Sequence, residues 1–437
     1  MRKFIQIWLG QTASIIGSSM SGFALTIWVW ESTNQATALA LFIFFAQLSR
    51  ILIAPVAGIL VDRWNRKFLM IISDAVSALL TLIILLLYVN QSLQVWHLYL
   101  AGAISGFFEQ FQQLAYSTTI TTMVPEKHYS RASSLSFLAI YSASIIAPTL
   151  AGVLYSVIGL NGIFLIDLAT FTIAISTVLF VKIPQPAITP HPNSTRPHLL
   201  EELSFGFRYI AKSPSLVALL VSVSLFWFAH DIGAALYSPM ILARTAADPR
   251  ILGNILSAAG VGGVVGASVI SIWGGPKQRI RGFLLGIVGT GFSKTVFGLA
   301  QVISIWIPAQ FFSSLNFPIV GTSNEAIWLA KVEPEVQGRV FATRAVCIQI
   351  ASAIGLLIAG PLADRIFEPA MQPGGFLAVI FGGIVGTGAG AGMAFLYAIS
   401  SFGLFLIGAG GYFYRPLRNM ENRPINNQKI SPTELRG

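Results

Sequence analysis

Gly58-Ile-Leu-Val-Asp-Arg-Trp-Asn-Arg-Lys67 separates two apolar stretches, residues 38–60 and 68–90. Each is long enough to cross the roughly 30 Å hydrocarbon core of a bilayer as a helix. The quoted segment concentrates Asp62, Arg63, Arg66 and Lys67 in the short break between them. Span, charged turn and span again is the pattern of a polytopic membrane protein, and it repeats along the chain. Further stretches of this kind run near 4–30, 95–122, 133–158, 161–182, 214–243, 251–273, 282–301, 303–329, 340–362 and 394–414. The expected fold class is therefore an all-α membrane protein of twelve transmembrane helices.

Composition agrees. The chain is 54% hydrophobic and 10% charged, against roughly 25% charged in soluble domains. Its net charge of +10 does not point to nucleic acid, because the basic residues sit in short loops beside apolar segments and form no basic domain. The stretch Phe4 to Trp30 is too long for a signal-peptide core and lacks a small-residue cleavage site, so it reads as a retained first span. Cys347 is the only cysteine, which leaves no intramolecular disulfide and no cysteine-based metal site. No Gly-x-x-x-x-Gly-Lys-Ser/Thr phosphate loop is present, so nothing supports ATP-driven work. The five His are scattered, and no nucleophile with a base stands out.

Charge sets the orientation. Of 27 Lys and Arg, 22 fall on the side shared by the two termini, Arg244, Arg250 and Arg365 on the other, and Arg50 and Lys294 inside spans. The positive-inside rule places both termini in the cytoplasm, the expected location being a bacterial-type inner membrane. The break at 184–213 divides the chain into bundles of six spans, 1–183 and 214–417, ahead of a polar tail, 418–437, expected to be disordered. Within the linker, Leu199 to Lys212 spaces apolar residues at helical intervals and should lie on the cytoplasmic surface. Gly-rich residues 369–393 are expected as an outer loop with a short re-entrant turn, since their backbone would need shielding from lipid.

Every third span shares a composition. Ala54-Pro-Val-Ala-Gly58, Ala147-Pro-Thr-Leu-Ala-Gly152 and Ala359-Gly-Pro-Leu-Ala363 occupy spans two, five and eleven, and Gly260-Val-Gly-Gly-Val-Val-Gly266 occupies span eight. Small residues let helices approach closely and Pro bends them, as suits a moving interface built from repeated three-helix units.

The segment 58–67 resembles the G-x-L-x-D-R-x-x-R-K signature of the major facilitator superfamily. Val124-Pro-Glu-Lys-His-Tyr-Ser-Arg-Ala132, Phe164-Leu-Ile-Asp-Leu-Ala-Thr-Phe171, Leu200-Glu-Glu-Leu-Ser-Phe-Gly-Phe-Arg208 and Val332-Glu-Pro-Glu-Val-Gln-Gly-Arg-Val340 resemble one branch of it, the third drug:proton antiporter family. That family includes macrolide efflux proteins and siderophore exporters. The resemblance implies alternating access between the two bundles, in a monomer that uses no cofactor and draws on the proton gradient. It also implies export of a small molecule, with helices one, four, seven and ten lining the cavity. A cytoplasmic gate is expected from Gly58, Asp62, Arg63, Arg66 and Lys67, with Asp74, Arg131 and Arg339 in its network. The matching loop of the second half, Gly274-Gly-Pro-Lys-Gln-Arg-Ile-Arg281, keeps the basic residues but has no acid, so the gating is asymmetric. On the outer side, Asp364-Arg365 after Pro361 echoes Asp62-Arg63 after Pro55, either as an outer-gate counterpart or as an exposed ion pair.

Ionisable residues inside spans are costly, and usually line a cavity or pair with each other. Glu109, His230-Asp231 and Glu325 fall on spans four, seven and ten. Depth at about 1.5 Å per residue puts Glu109, Asp231 and Arg50 near mid-bilayer, Asp74 and Glu325 nearer the cytoplasm, and Asp167 nearer the outside. Desolvation favours the protonated carboxyl, which makes Glu109 and Asp231 the proton-coupling candidates. The alternative for both is a permanent ion pair with Arg50 or Lys294. Arg50 can equally bind an anionic substrate. His230 points about 100° from Asp231 on a helix, so no His–Asp couple is implied. Asp167, in Asp-x-x-Thr-Phe, reads as a structural helix contact. Trp28, Trp30, Phe226, Trp227 and Phe228 form either an aromatic wall for an amphiphile or lipid-facing anchors. The rivals to export are uptake symport or facilitated transport by the same fold, and a receptor that has lost transport.

Overall fold

The computed structural model describes residues 2–125, 129–181, 183 and 199–421. Helices account for nearly all of them, because backbone groups within hydrocarbon must be satisfied inside their own segment. In chain order these are α1 (Arg2–Thr33), α2 (Ala36–Arg63), α3 (Arg66–Val89), α4 (Val95–Met123), α5 (Tyr129–Phe180), α6 (Leu199–Ala211), α7 (Pro214–Arg244) and α8 (Pro249–Trp273). They are followed by α9 (Arg279–Leu299), α10 (Ile303–Lys331), α11 (Gln337–Leu362), α12 (Glu368–Ala370), α13 (Phe376–Val385), α14 (Ala391–Phe413) and α15 (Arg415–Arg418). Ten stretches among the described residues are long and apolar enough to cross a membrane.

Two helices explain how that number relates to the sequence. α5 has 52 residues, or about 78 Å at 1.5 Å per residue, more than twice the bilayer core. Gly159 breaks it with φ 63°, a left-handed conformation that only glycine adopts without strain. α4 carries Glu109, Gln110, Gln112 and Gln113 mid-helix and is absent from the ten. Local sequence chemistry starts α3, where the Asn65 side chain accepts from Phe68 N, an N-cap that satisfies one of the helix's orphan donors.

The chain forms two compact units. One comprises Met1–Pro190, Ala235–Val261 and Leu356–Ala394; the other comprises His191–Ala234, Gly262–Gly355 and Phe395–Gly437. In the first, the ends of α8 and α11 pack on α5 and α2 through the small-residue clusters. A Cβ at Gly152 would stand 2.7 Å from the Pro249 carbonyl oxygen, one at Gly253 would strike the Pro148 carbonyl, and one at Gly260 would stand 3.0 Å from that of Ser144. Gly360 meets the backbone of Thr37 in the same way. In the second unit, Ile210, Leu219, Phe226, Phe283, Ile327 and Trp328 belong to one buried apolar cluster.

Two expectations change. Residues 369–393 contain a ten-residue helix, α13, where a loop with a re-entrant turn was expected. Its sequence Phe376-Leu-Ala-Val-Ile-Phe-Gly-Gly-Ile-Val385 is uninterrupted by charge, and Gly386 ends it at φ 87°. At about 15 Å it is too short to span. Arg344, counted as a loop charge, lies inside α11 and is paired there.

Candidate functional site

In the first unit, Arg50 on α2 and Glu109 on α4 stand with Nη1 and Oε2 3.6 Å apart. Gly106, one turn before Glu109, meets the backbone of Ala46, so the two helices touch where the charges meet. The pair is not enclosed: the side chains are 44% and 56% exposed. The structure thus joins two residues that the sequence placed at similar depth, and Arg50 is one of the two cations it offered as an ion-pair partner for Glu109.

Asp74 on α3 has no cationic partner among the described residues. Its oxygens accept from Gln11 Nε2 on α1 at 2.9 Å and Gln112 Nε2 on α4 at 2.7 Å. Gln112 also donates to Gln11 Oε1 at 2.8 Å, which closes a three-helix polar knot. The basic part of the 58–67 segment has a specific use. Arg66 is buried and donates to the Thr118 carbonyl at 2.9 Å. Lys67 donates to the Leu179 and Val181 carbonyls at 2.7 and 3.1 Å. Both cations therefore satisfy acceptors near helix C-termini, where the macrodipole favours positive charge. Gly58, Asp62 and Arg63 end α2 and Arg131 begins α5; the side chains of Asp62, Arg63 and Arg131 lie outside the described residues.

The far ends of α2 and α11 are joined by Asp364. Its Oδ1 accepts from Ala36 N at 3.0 Å, and its Oδ2 from Thr37 N at 2.8 Å and Thr37 Oγ1 at 2.6 Å. These amides open α2, whose own preceding residue, Gln35, provides no side-chain cap. A carboxylate from the π-helical turn Ala363–Phe367 that follows α11 therefore caps α2, in the place where the dipole favours negative charge. Arg365 is exposed. Elsewhere in this unit, Thr149 on α5 and Ser257 on α8 have hydroxyl oxygens 2.6 Å apart, and Ser257 donates to the Ile145 carbonyl at 2.8 Å.

In the second unit, Lys294 on α9 is buried and its Nζ donates to His230 Nδ1 on α7 at 2.7 Å. The ammonium lies 5.8 Å from the ring centroids of both Phe317 and Tyr397. Phe226 stacks on the imidazole, with planes 4° apart, and Trp227 meets it edge-on. Asp231 turns to Ser352 on α11, as the 100° argument requires. Of the aromatic residues singled out in the sequence, Phe226 and Trp227 thus surround His230, whereas Trp28 packs edge-on against Tyr88. Glu325 on α10 is bound by Arg344 at 2.6 Å, and Arg344 lies over the rings of Trp328 and Phe341. Arg339 is exposed and covers Phe205 of α6 at 5.1 Å.

Sequence reasoning missed Gln11, Gln112 and Arg344, which complete the environments of Asp74 and Glu325. It also missed two helix-end clamps: Arg244 donates to the Val385 carbonyl at 2.7 Å, and Glu368 accepts from Gly390 N and Met393 N at 3.2 and 2.9 Å. Amides and end-of-helix charges carry no periodic signal. The one available clue was that Gln11 and Gln112 are polar residues inside apolar spans.

The profile of the Major Facilitator Superfamily matches residues 7–356. Macrolide efflux protein A of Streptococcus pyogenes is 27% identical over 366 residues, covering 83% of this chain and 90% of the relative. The enterobactin exporter EntS of Citrobacter koseri is 23% identical over 304 residues, covering 70% and 71%. Among solved structures, a bacterial homologue of the iron transporter ferroportin in its inward-facing state aligns over 97% of this chain and 99% of that one, with a TM-score of 0.68 at 14% identity. The nucleoside transporter NupG aligns over 97% and 100% with a TM-score of 0.69 at 11% identity.

Proposed function

The chain belongs to the Major Facilitator Superfamily, and from that premise we propose that it is a proton-coupled exporter of a small amphiphilic molecule. It is a multi-pass membrane transporter and not an enzyme. We count twelve spans, adding α4 and the second segment of α5 to the ten apolar helices, with both termini in the cytoplasm.

The observation that carries the reading is the partly exposed Arg50–Glu109 pair. Protonation of Glu109 removes the charge that holds Arg50 and frees the guanidinium. A carboxylate with a cation within reach can thus exchange a proton for a change in local charge. Asp231, near Lys294 in the other unit, is the second proton candidate. Asp364, capping α2, serves as the outer gate, and the 58–67 segment as the inner one. The names of the relatives supply the first cargoes to try, a macrolide and enterobactin.

The test uses inside-out vesicles, in which export appears as uptake. Acidifying the lumen should drive macrolide or enterobactin accumulation, a protonophore should abolish it, and Glu109→Gln should remove the dependence on the pH gradient. Accumulation driven by an alkaline lumen would establish symport instead. Binding of these cargoes without translocation would establish the receptor. If Glu109→Gln and Asp231→Asn both kept the wild-type response to the pH gradient, the coupling assignment would be wrong.

A further inference from the structure

Asp167 is the most deeply enclosed carboxylate among the described residues of the first unit, at 1% exposure, and the transport reading makes no use of it. No Lys, Arg or His pairs with it among the described residues. Hydroxyls surround it instead. Ser18 Oγ on α1 lies 3.1 Å from Oδ1, and Thr81 Oγ1 on α3 lies 3.3 Å from Oδ2. Ser21, one turn beyond Ser18, is itself buried at 6% exposure, and its hydroxyl faces the same carboxyl group. Gly17 brings α1 close: a Cβ there would lie 3.0 Å from Asp167 Oδ1 and would strike Thr170 Oγ1.

Three features point the same way. An ionised carboxylate so enclosed, within a membrane span, calls for a compensating positive charge. The spacing of the two donating hydroxyls, 3.1 and 3.3 Å, is longer than the roughly 2.5–2.7 Å usual for an O–H···O⁻ bond. It suits oxygens arranged around an ion. Ligands about 2.4 Å from a hard cation of calcium's size and at right angles to one another are roughly 3.4 Å apart. Finally, one carboxylate with neutral hydroxyls neutralises a single positive charge. The monovalent ion of that size is sodium.

We propose that Asp167, Ser18, Ser21 and Thr81 form a sodium-binding site joining α1, α3 and the second segment of α5. Its filling ties the three helices together by supplying the missing charge and engaging the Ser21 hydroxyl. The site is separate from Glu109 and stands whether or not the protein exports with protons.

The full-length protein, purified in detergent at alkaline pH, would be titrated with sodium chloride at constant ionic strength against choline and potassium chloride. Thermal unfolding and equilibrium binding of radioactive sodium would be followed together. Sodium should raise the unfolding temperature saturably, choline and potassium should not, and one ion should bind per chain. Asp167→Asn should abolish both effects. Ser21→Ala should weaken sodium binding roughly tenfold or more, as loss of a site partner does. Glu109→Gln should bind sodium normally. Equal responses to sodium and choline would overturn the proposal, as would sodium binding that survives Asp167→Asn. Stabilisation by acid alone, with no sodium effect, would overturn it in favour of a protonated carboxyl.

Discussion

Replacing Asp364 with alanine removes three hydrogen bonds at once and leaves the opening amides of α2 without their cap. Loss of a capping side chain costs roughly 0.5–2 kcal/mol, and a hydrogen bond to a charged group contributes about 1.5–3 kcal/mol. These overlap, and Asp364 is only partly buried, so about 2 kcal/mol is the reasonable loss. If Asp364 latches the outer ends of the helices, that amount raises the ratio of outer-open to outer-closed protein roughly 30-fold. The readout should lie away from the mutation. In a Cys347→Ser background, Ser257→Cys places a thiol in the α5–α8 seam, where Ser257 now meets Thr149. Its labelling from outside by a membrane-impermeant maleimide should accelerate roughly 30-fold with Asp364→Ala, and less with Asp364→Asn, which keeps an acceptor. A change under about threefold would mean that Asp364 caps α2 locally and gates nothing.

Gly253→Val should push α8 off the Pro148 carbonyl and destabilise the closed seam by about 1–3 kcal/mol, the usual cost of overpacking. The same thiol should then label faster while the amount of folded protein in the membrane stays near normal. Arg344→Met should cost on the order of 1 kcal/mol, since Glu325 is 47% exposed and such pairs are screened. A thermal double-mutant cycle with Glu325→Gln should return a coupling of that size, and zero coupling would remove the pair from any structural role.

What the chain disclosed unaided was set by its solvent. Bilayer thickness demands about 20 apolar residues per helix, so nearly every span boundary and the helix at 199–211 could be read directly. The exception is instructive. Residues 369–393 were assigned by their glycines, yet the apolar run Phe376–Val385 is helical, because uninterrupted hydrophobic sequence outweighs glycine content over one short segment. The charged residues were legible as exceptional positions but not as definite partners, since Arg50 and Lys294 were both open to Glu109. Glu109 and Arg50 stand 59 residues apart, and Glu325 and Arg344 are separated by a turn and parts of two helices.

The charge-poor spans and the 58–67 segment made class and family legible, since each depends on local composition or short spacing. Tertiary structure alone decided who meets whom. It placed Asp364 on the amides of α2, turned His230 to Lys294 and away from Asp231, and left Asp167 among hydroxyls with no cation beside it. Helices in a membrane are specified one at a time by hydrophobicity. Their rotation and neighbours follow from packing of small residues and from polar groups finding one another, which no single span encodes.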